Sequence, residues 1–198
     1  MITEFNLLSE EAKIWIYPSS RKFYSNEIDE IELKIKNFVS GWKKETTNFK
    51  CSYQFLYNRF IIIAADDETF SVTNLDMDSQ VEFIIGLQNI YKVSLLDKMN
   101  VCFKQGEYVQ YKELKDFKQL VKNKAVTAKT IIFDNLITNK HDFENFWEIP
   151  IVNFIVIFLV FLGYYIANFF IVNPIQFFDI NVILNQRSIF LFKSRSFL

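Results

Sequence analysis

The sequence predicts an α+β fold: a ferredoxin-like split βαβ sheet with a C-terminal extension, followed by one transmembrane helix. Three observations carry this expectation. The stretch Cys51–Asp67, CSYQFLYNRFIIIAADD, alternates in polarity and then becomes apolar throughout, as two strands joined by a tight turn do. The first six periodic segments run β-α-β-β-α-β, the order of a split βαβ unit. Finally, Ile151–Val172 is a run of 22 residues without a charge, and about 20 apolar residues suffice to cross a hydrocarbon core. The division expected is a soluble α+β domain over 1–150, a transmembrane span over 151–172 and a short tail over 173–198.

Each element has its own signal. Lys13–Pro18 (KIWIYP) is a short apolar run closed by proline, a first strand. Ser25 or Asn26 can cap the helix that follows, in which Ile28, Ile31, Ile35, Phe38, Val39 and Trp42 recur at helical spacing up to about Gly41. In the first strand of the central hairpin Cys51, Tyr53, Phe55 and Tyr57 share one face, and Asn58-Arg59 is the expected turn. Phe60–Ala65 is apolar at every position, the pattern of a strand covered on both faces. Asp66–Asp78 reads as an acidic loop, and Ser79 with Glu82 as a capping box opening a second helix to about Tyr91, with Val81, Ile84, Ile85 and Gln88 on one face. Strands over 100–104 and 107–111 flank Gln105-Gly106, a second hairpin. Leu114, Phe117, Leu120 and Val121 mark a third helix, Thr130–Phe133 a last strand, and His141–Trp147 one or two helical turns.

Composition narrows the function classes. Residues 1–150 hold 19 Lys and Arg against 22 Asp and Glu, whereas 151–198 hold three basic residues and one acidic. Neither part has the basic excess of a nucleic-acid binder. Cys51 and Cys102 fall in expected strands and read as buried free thiols, too few for a disulfide framework. The opening MITEFNLLSEEAK carries acidic residues and no apolar core, unlike a secretory signal.

Two sets of residues have the chemistry of a site. Asp66, Asp67, Asp76 and Asp78, with Glu68, are the densest acidic group, and hard divalent cations take several carboxylates. Their spacing matches no EF-hand loop, so solvated loop carboxylates are the plainer reading. Arg21 and Lys22, beside Tyr17 after the first strand, could hold an anion. His141 is the single histidine and has no metal or triad pattern around it. Trp15, Trp42 and Trp147 read as core aromatics. No cofactor motif is present.

Several blocks together resemble a family of small bacterial proteins of about 150 residues that is commonly labelled "ABC transporter ATPase". They are Trp15-Ile16-Tyr17 with Arg21, Tyr57-Asn58-Arg59-Phe60-Ile61-Ile62-Ile63-Ala64, Thr130-Ile131-Ile132-Phe133-Asp134-Asn135-Leu136, and Trp147-Glu148-Ile149-Pro150. The resemblance covers about residues 4–150. The label implies ATP hydrolysis, which in that class needs G-x-x-x-x-G-K-[ST] to cradle the phosphates. The four glycines, Gly41, Gly86, Gly106 and Gly163, are too far apart for such a loop. Members of the family carry Gly and Cys after the central hairpin, where this chain has Ser71-Val72-Thr73-Asn74-Leu75-Asp76, and they end soon after the block that closes at Pro150.

The C-terminal segment sets the expected location. Asn173-Pro174 stops the apolar run. Arg187, Lys193 and Arg195 follow it, and the positive-inside rule would place them in the cytoplasm. The lack of a signal argues for the opposite single-pass arrangement, with the N-terminal domain cytoplasmic. A shifted reading frame in DNA rich in A and T would also yield a tail of Phe, Ile, Asn, Tyr and Leu, and the protein would then be cytoplasmic. The expectation is a non-enzymatic accessory or interaction domain tethered through Ile151–Val172. The alternative is a metal-binding protein or enzyme using the acidic loop 66–78.

Overall fold

The computed structural model describes residues 2–42, 49–66, 72–98 and 100–153. A 3₁₀ turn at Phe5–Leu7 precedes β1 (Lys13–Pro18), α1 (Ser25–Gly41), β2 (Lys50–Leu56), β3 (Phe60–Asp66), α2 (Asn74–Tyr91), β4 (Val101–Gln105), β5 (Tyr108–Lys112), α3 (Leu114–Lys122), β6 (Ile131–Phe133), α4 (Lys140–Phe146) and β7 (Glu148–Pro150). The α+β class is the one expected. The strands form two antiparallel sheets, ordered β1-β3-β2 and β5-β4-β6-β7.

The first sheet is the opening half of a split βαβ unit, with β3 antiparallel to both β1 and β2 between them. A single ferredoxin-like sheet would add β4 beside β1, but β4 pairs with β5 and β6. The edge of β1 is already engaged. Ile14 N–H donates to the Thr138 carbonyl at 2.8 Å, Lys13 bridges to Asn139, and Lys140 N–H donates to the Ala12 carbonyl at 2.9 Å. An edge whose backbone groups are satisfied has no row of donors and acceptors left for another strand.

The chain divides into two compact units, Met1–Lys98 with Asp134–Trp147, and Met99–Phe133 with the chain from Glu148 onward. In the first, β3 is buried along its whole length. Ile61, Ile63 and Ala65 share a core with Ile31, Ile35 and Val39 of α1 and Ile84, Leu87 and Tyr91 of α2. On the alternate positions, Phe60 meets Trp147 edge-on at 5.0 Å, Trp147 packs on Phe143 at 4.8 Å, and Phe143 meets Phe5 at 5.7 Å. Cover on both faces is why β3 shows no polar alternation. In the second unit, Phe103, Phe117, Ile132, Ile149 and Ile151 form a core between the sheet and α3.

Several local expectations shift. Both turns move by one residue. The first centres on Tyr57 and Asn58, at φ 56° and 49°, with Arg59 N–H bonded to the Leu56 carbonyl. Two positive φ values match the twist of a hairpin, and Asn tolerates them better than the bulky Arg would. The second uses Gly106-Glu107, with Gly106 at φ 58°. Helix α1 begins at Ser25, and its cap is Tyr24, whose N–H donates to Glu27 Oε2 at 2.7 Å.

Helix α2 starts at Asn74, earlier than the expected Ser79–Glu82 box. Thr73 is the cap, and Ser79 instead donates its hydroxyl to the Asp76 carbonyl one turn back. Its buried face is Asp76, Gln80, Ile84, Leu87 and Tyr91, while Val81 and Ile85 are exposed. Polar anchors set this rotation: Trp42 Nε1 donates to the Asp76 carbonyl, and Gln88 Oε1 accepts from Leu95 and Leu96 N–H. Strand β7 was not expected, because Glu148–Pro150 is too short for a pattern.

Among the described residues no helix is long and apolar enough to cross a membrane. The expected span Ile151–Val172 lies outside the described residues from 154 onward, as does the whole of the tail 173–198.

Candidate functional site

The acidic segment divides between a strand end and a helix start. Asp66 closes β3 and is buried, and its Oδ2 accepts from Ser9 N–H at 3.2 Å. Asp67 and Glu68 lie outside the described residues. Asp76 is the third residue of α2 and only 4% exposed. Its Oδ2 accepts from Thr73 N–H at 2.9 Å and from Thr73 Oγ1 at 2.6 Å, and Thr73 Oγ1 accepts in turn from Asp76 N–H at 3.3 Å. This is a reciprocal capping box, and the carboxylate also meets the positive end of the helix. Asp78, two residues further on and so on the opposite side of the helix, is exposed. Two of the carboxylates thus serve backbone donors. Among the described residues no three His, Cys, Asp or Glu side chains stand close enough to hold a metal ion.

The basic pair behaves differently at its two members. Arg21 forms a two-pronged pair with Glu27, Nη1 to Oε2 and Nη2 to Oε1, both at 2.8 Å, and Nη2 also donates to the Tyr91 carbonyl at 2.8 Å. Its guanidinium lies over the Tyr24 ring at 4.2 Å. The Arg21 bond holds the Glu27 carboxyl below the usual carboxylate range, against the opposing effect of burial and with help from Tyr24 N–H. Arg21 therefore joins the loop after β1 to the first turn of α1 and the last turn of α2. Lys22 is exposed.

The remaining singled-out residues pack. Cys51 is buried and its thiol donates to the Val39 carbonyl at 3.3 Å, and Cys102 is buried and in no disulfide. Trp15 and Trp42 meet edge-on at 5.7 Å, and Trp147 joins the Phe60 and Phe143 rings. His141 is exposed, its Nδ1 3.2 Å from Asp142 Oδ1.

Two residues escaped the sequence reading. Gln80 is fully buried, and neither its Nε2 nor its Oε1 has a hydrogen-bond partner. Its sequence signal is a polar residue four positions before Ile84 and seven before Leu87, at helical spacing with both. Lys98 lines a cavity at the edge of β1, and burial lowers its pKa. One lysine in a polar-looking stretch carries no sequence signal. Compared with known proteins, the chain matches no family model, no curated protein and no solved structure.

Proposed function

We propose that this chain is an accessory or interaction module, non-enzymatic in its main role, that is held at a membrane by the uncharged segment following its folded body. The supporting observation is where that body closes. Ile151 is only 4% exposed and packs with Phe103, Phe117, Ile132 and Ile149. Its N–H donates to the Thr130 carbonyl, and Val152 N–H donates to the Ala128 carbonyl, each at 3.0 Å. Directly afterwards the sequence runs from Asn153 to Val172 with no charge, long enough for one helical crossing. Ile151 thus belongs to the body, and the tether starts after it. Cys51 and Cys102 are buried and in no disulfide, which fits a body on the reducing side of that membrane. The engagement of Asp66 and Asp76 with backbone donors gives the metal-binding alternative less support.

The test compares the full chain with a 1–153 truncation, which keeps Ile151 and Val152 in place. Membranes washed with alkaline carbonate should retain the full chain and release the truncation. Recovery of the full chain in the soluble fraction would overturn the tether. Sequencing the gene across codon 153 checks the reading frame directly.

A further inference from the structure

Positive charge collects where the folded body gives way to the uncharged run. From Phe117 to Phe133 the sequence holds Lys118, Lys122, Lys124 and Lys129 and no acidic residue, although residues 1–150 as a whole carry more acid than base. Lys122, Lys124 and Lys129 are exposed. Helix α3 turns Phe117, Leu120 and Val121 to the core of the second unit. Lys115 and Lys122, about two turns apart, are left on its outer side.

A basic helix face alone is ordinarily a solvated one. What sets this one apart is its position at the end of the body. Lys124 follows the cap of α3 in a left-handed conformation, φ 56°, and Val126 then packs against the core that holds Ile151. Ile151 N–H donates to the Thr130 carbonyl and Val152 N–H to the Ala128 carbonyl, each at 3.0 Å. Lys129 therefore lies between the two carbonyls that receive the end of the body. Lys124 is four residues from Ala128, at most about 14 Å of chain. Val152, beside them, is an apolar side chain left 43% exposed. The acidic residue nearest the uncharged run in sequence, Glu148, is paired with Lys104.

We propose that Lys122, Lys124 and Lys129 face the headgroups of an anionic bilayer and hold the body against it. This contact presupposes the tether proposed above and specifies the lipid that the body meets. Lysine ammonium groups attract anionic headgroups without a shaped pocket, strengthening binding roughly fivefold for each lysine close to the surface. The attraction fades beyond a Debye length, so only charges beside the exit of the tether count. The tether supplies the second requirement, a high local concentration of headgroups. Counted along the chain, the residues before Asn153 offer Glu144 and Glu148. The fold replaces that acidic flank with a basic one, because it brings residues 128–130 against Ile151 and Val152.

The full chain is reconstituted in nanodiscs of phosphatidylcholine alone or with phosphatidylglycerol. Lysines are acetylated with an uncharged reagent, and their rates are read by peptide mass mapping. Lys122, Lys124 and Lys129 are expected to react severalfold more slowly in the anionic discs and to recover at high salt, which shortens the Debye length. Lys36 of α1 should react alike in both. Lys122→Gln combined with Lys129→Gln, both at exposed positions, should relieve most of the slowing at Lys124. Equal rates in the two discs overturn the proposal, and are the result expected if these lysines serve an acidic protein instead. A chain that stays with neither disc counts against the tether. Vesicles of the two compositions then replace the discs, and the same comparison of lysine rates decides the basic surface.

Discussion

Arg59 and Ser19 are bonded in both directions. Ser19 N–H donates to the Arg59 carbonyl at 2.9 Å, and the Arg59 guanidinium, 7% exposed, donates from Nη1 to the Ser19 carbonyl at 2.8 Å. The central hairpin turn is thereby tied to the end of β1. Arg59→Met keeps the length and removes the donors, leaving a buried carbonyl short of a partner, at about 2–3 kcal/mol. A fall in Tm of about 5–10 °C is expected. A variant that melts with the parent would show that this bond contributes nothing.

Asp76→Ala is expected to destabilise the metal-free protein by about 1–2 kcal/mol, because it removes half of the capping box at α2. Thr73→Ala should cost about as much, and the double variant less than the sum, since the two side chains serve each other. A denaturant titration in the presence of chelator measures all three. Were these residues chiefly metal ligands, the loss would arise only in protein supplied with calcium or manganese.

Gln80→Leu should stabilise. Both polar atoms of Gln80 are buried without partners, and an unpaired amide in an apolar site costs roughly 1–3 kcal/mol. Leucine also suits the helix better than an amide held in the core. The expected outcome is a rise of a few degrees in Tm; a clear fall would mean that the amide is satisfied by a partner in solution.

The Arg21–Glu27 pair makes stability depend on acid. Glu27 is held below its usual range in the folded chain, so its contribution is complete above the unfolded value of about 4.3. Below that pH the unfolded state takes up the proton first. The contribution shrinks as pH falls and is gone below the folded value. Glu27→Gln should therefore narrow the gap to the parent as the pH drops through this window. Parallel stability curves for the two proteins between neutral and acid pH would contradict the assignment.

Cutting the chain after Pro150 should destabilise the second unit, while cutting after Asn153 should not. The difference is Ile151, whose loss from the core beside Phe103 and Phe117 is worth about 2–5 kcal/mol. Hydrogen exchange at the amides of β4 and β6 would report it. Ile151→Ala in the longer truncation should reproduce the loss.

The sequence was a good guide wherever a pattern repeats several times. Lys13–Pro18 is β1 to the residue, and the apolar run at Phe60–Ala65 is a strand buried on both faces, because neighbours along the chain reported the same environment. It was a poorer guide where one polar bond decides. Val81 and Ile85 looked like core and are exposed, since Trp42 and Gln88 turn α2 toward Gln80 and Leu87. The candidate site suffered most. Asp76 looks the same in sequence whether it caps a helix or meets a cation, and the Arg21 guanidinium could not be seen to end on Glu27 and Tyr91.

What the sequence determined alone was local: the α+β class, the order of the main elements, the absence of a phosphate loop and the uncharged run after Ile151. Each rests on covalent neighbours and periodicity, which need no partner to be read. Tertiary structure decided the sheets. Residues 138–140 reached the edge of β1, and β4 went to β5 and β6 instead. Strand edges are chemically alike, so which segment fills one depends on what the rest of the chain brings within hydrogen-bonding distance, and that choice also built the cavity around Lys98.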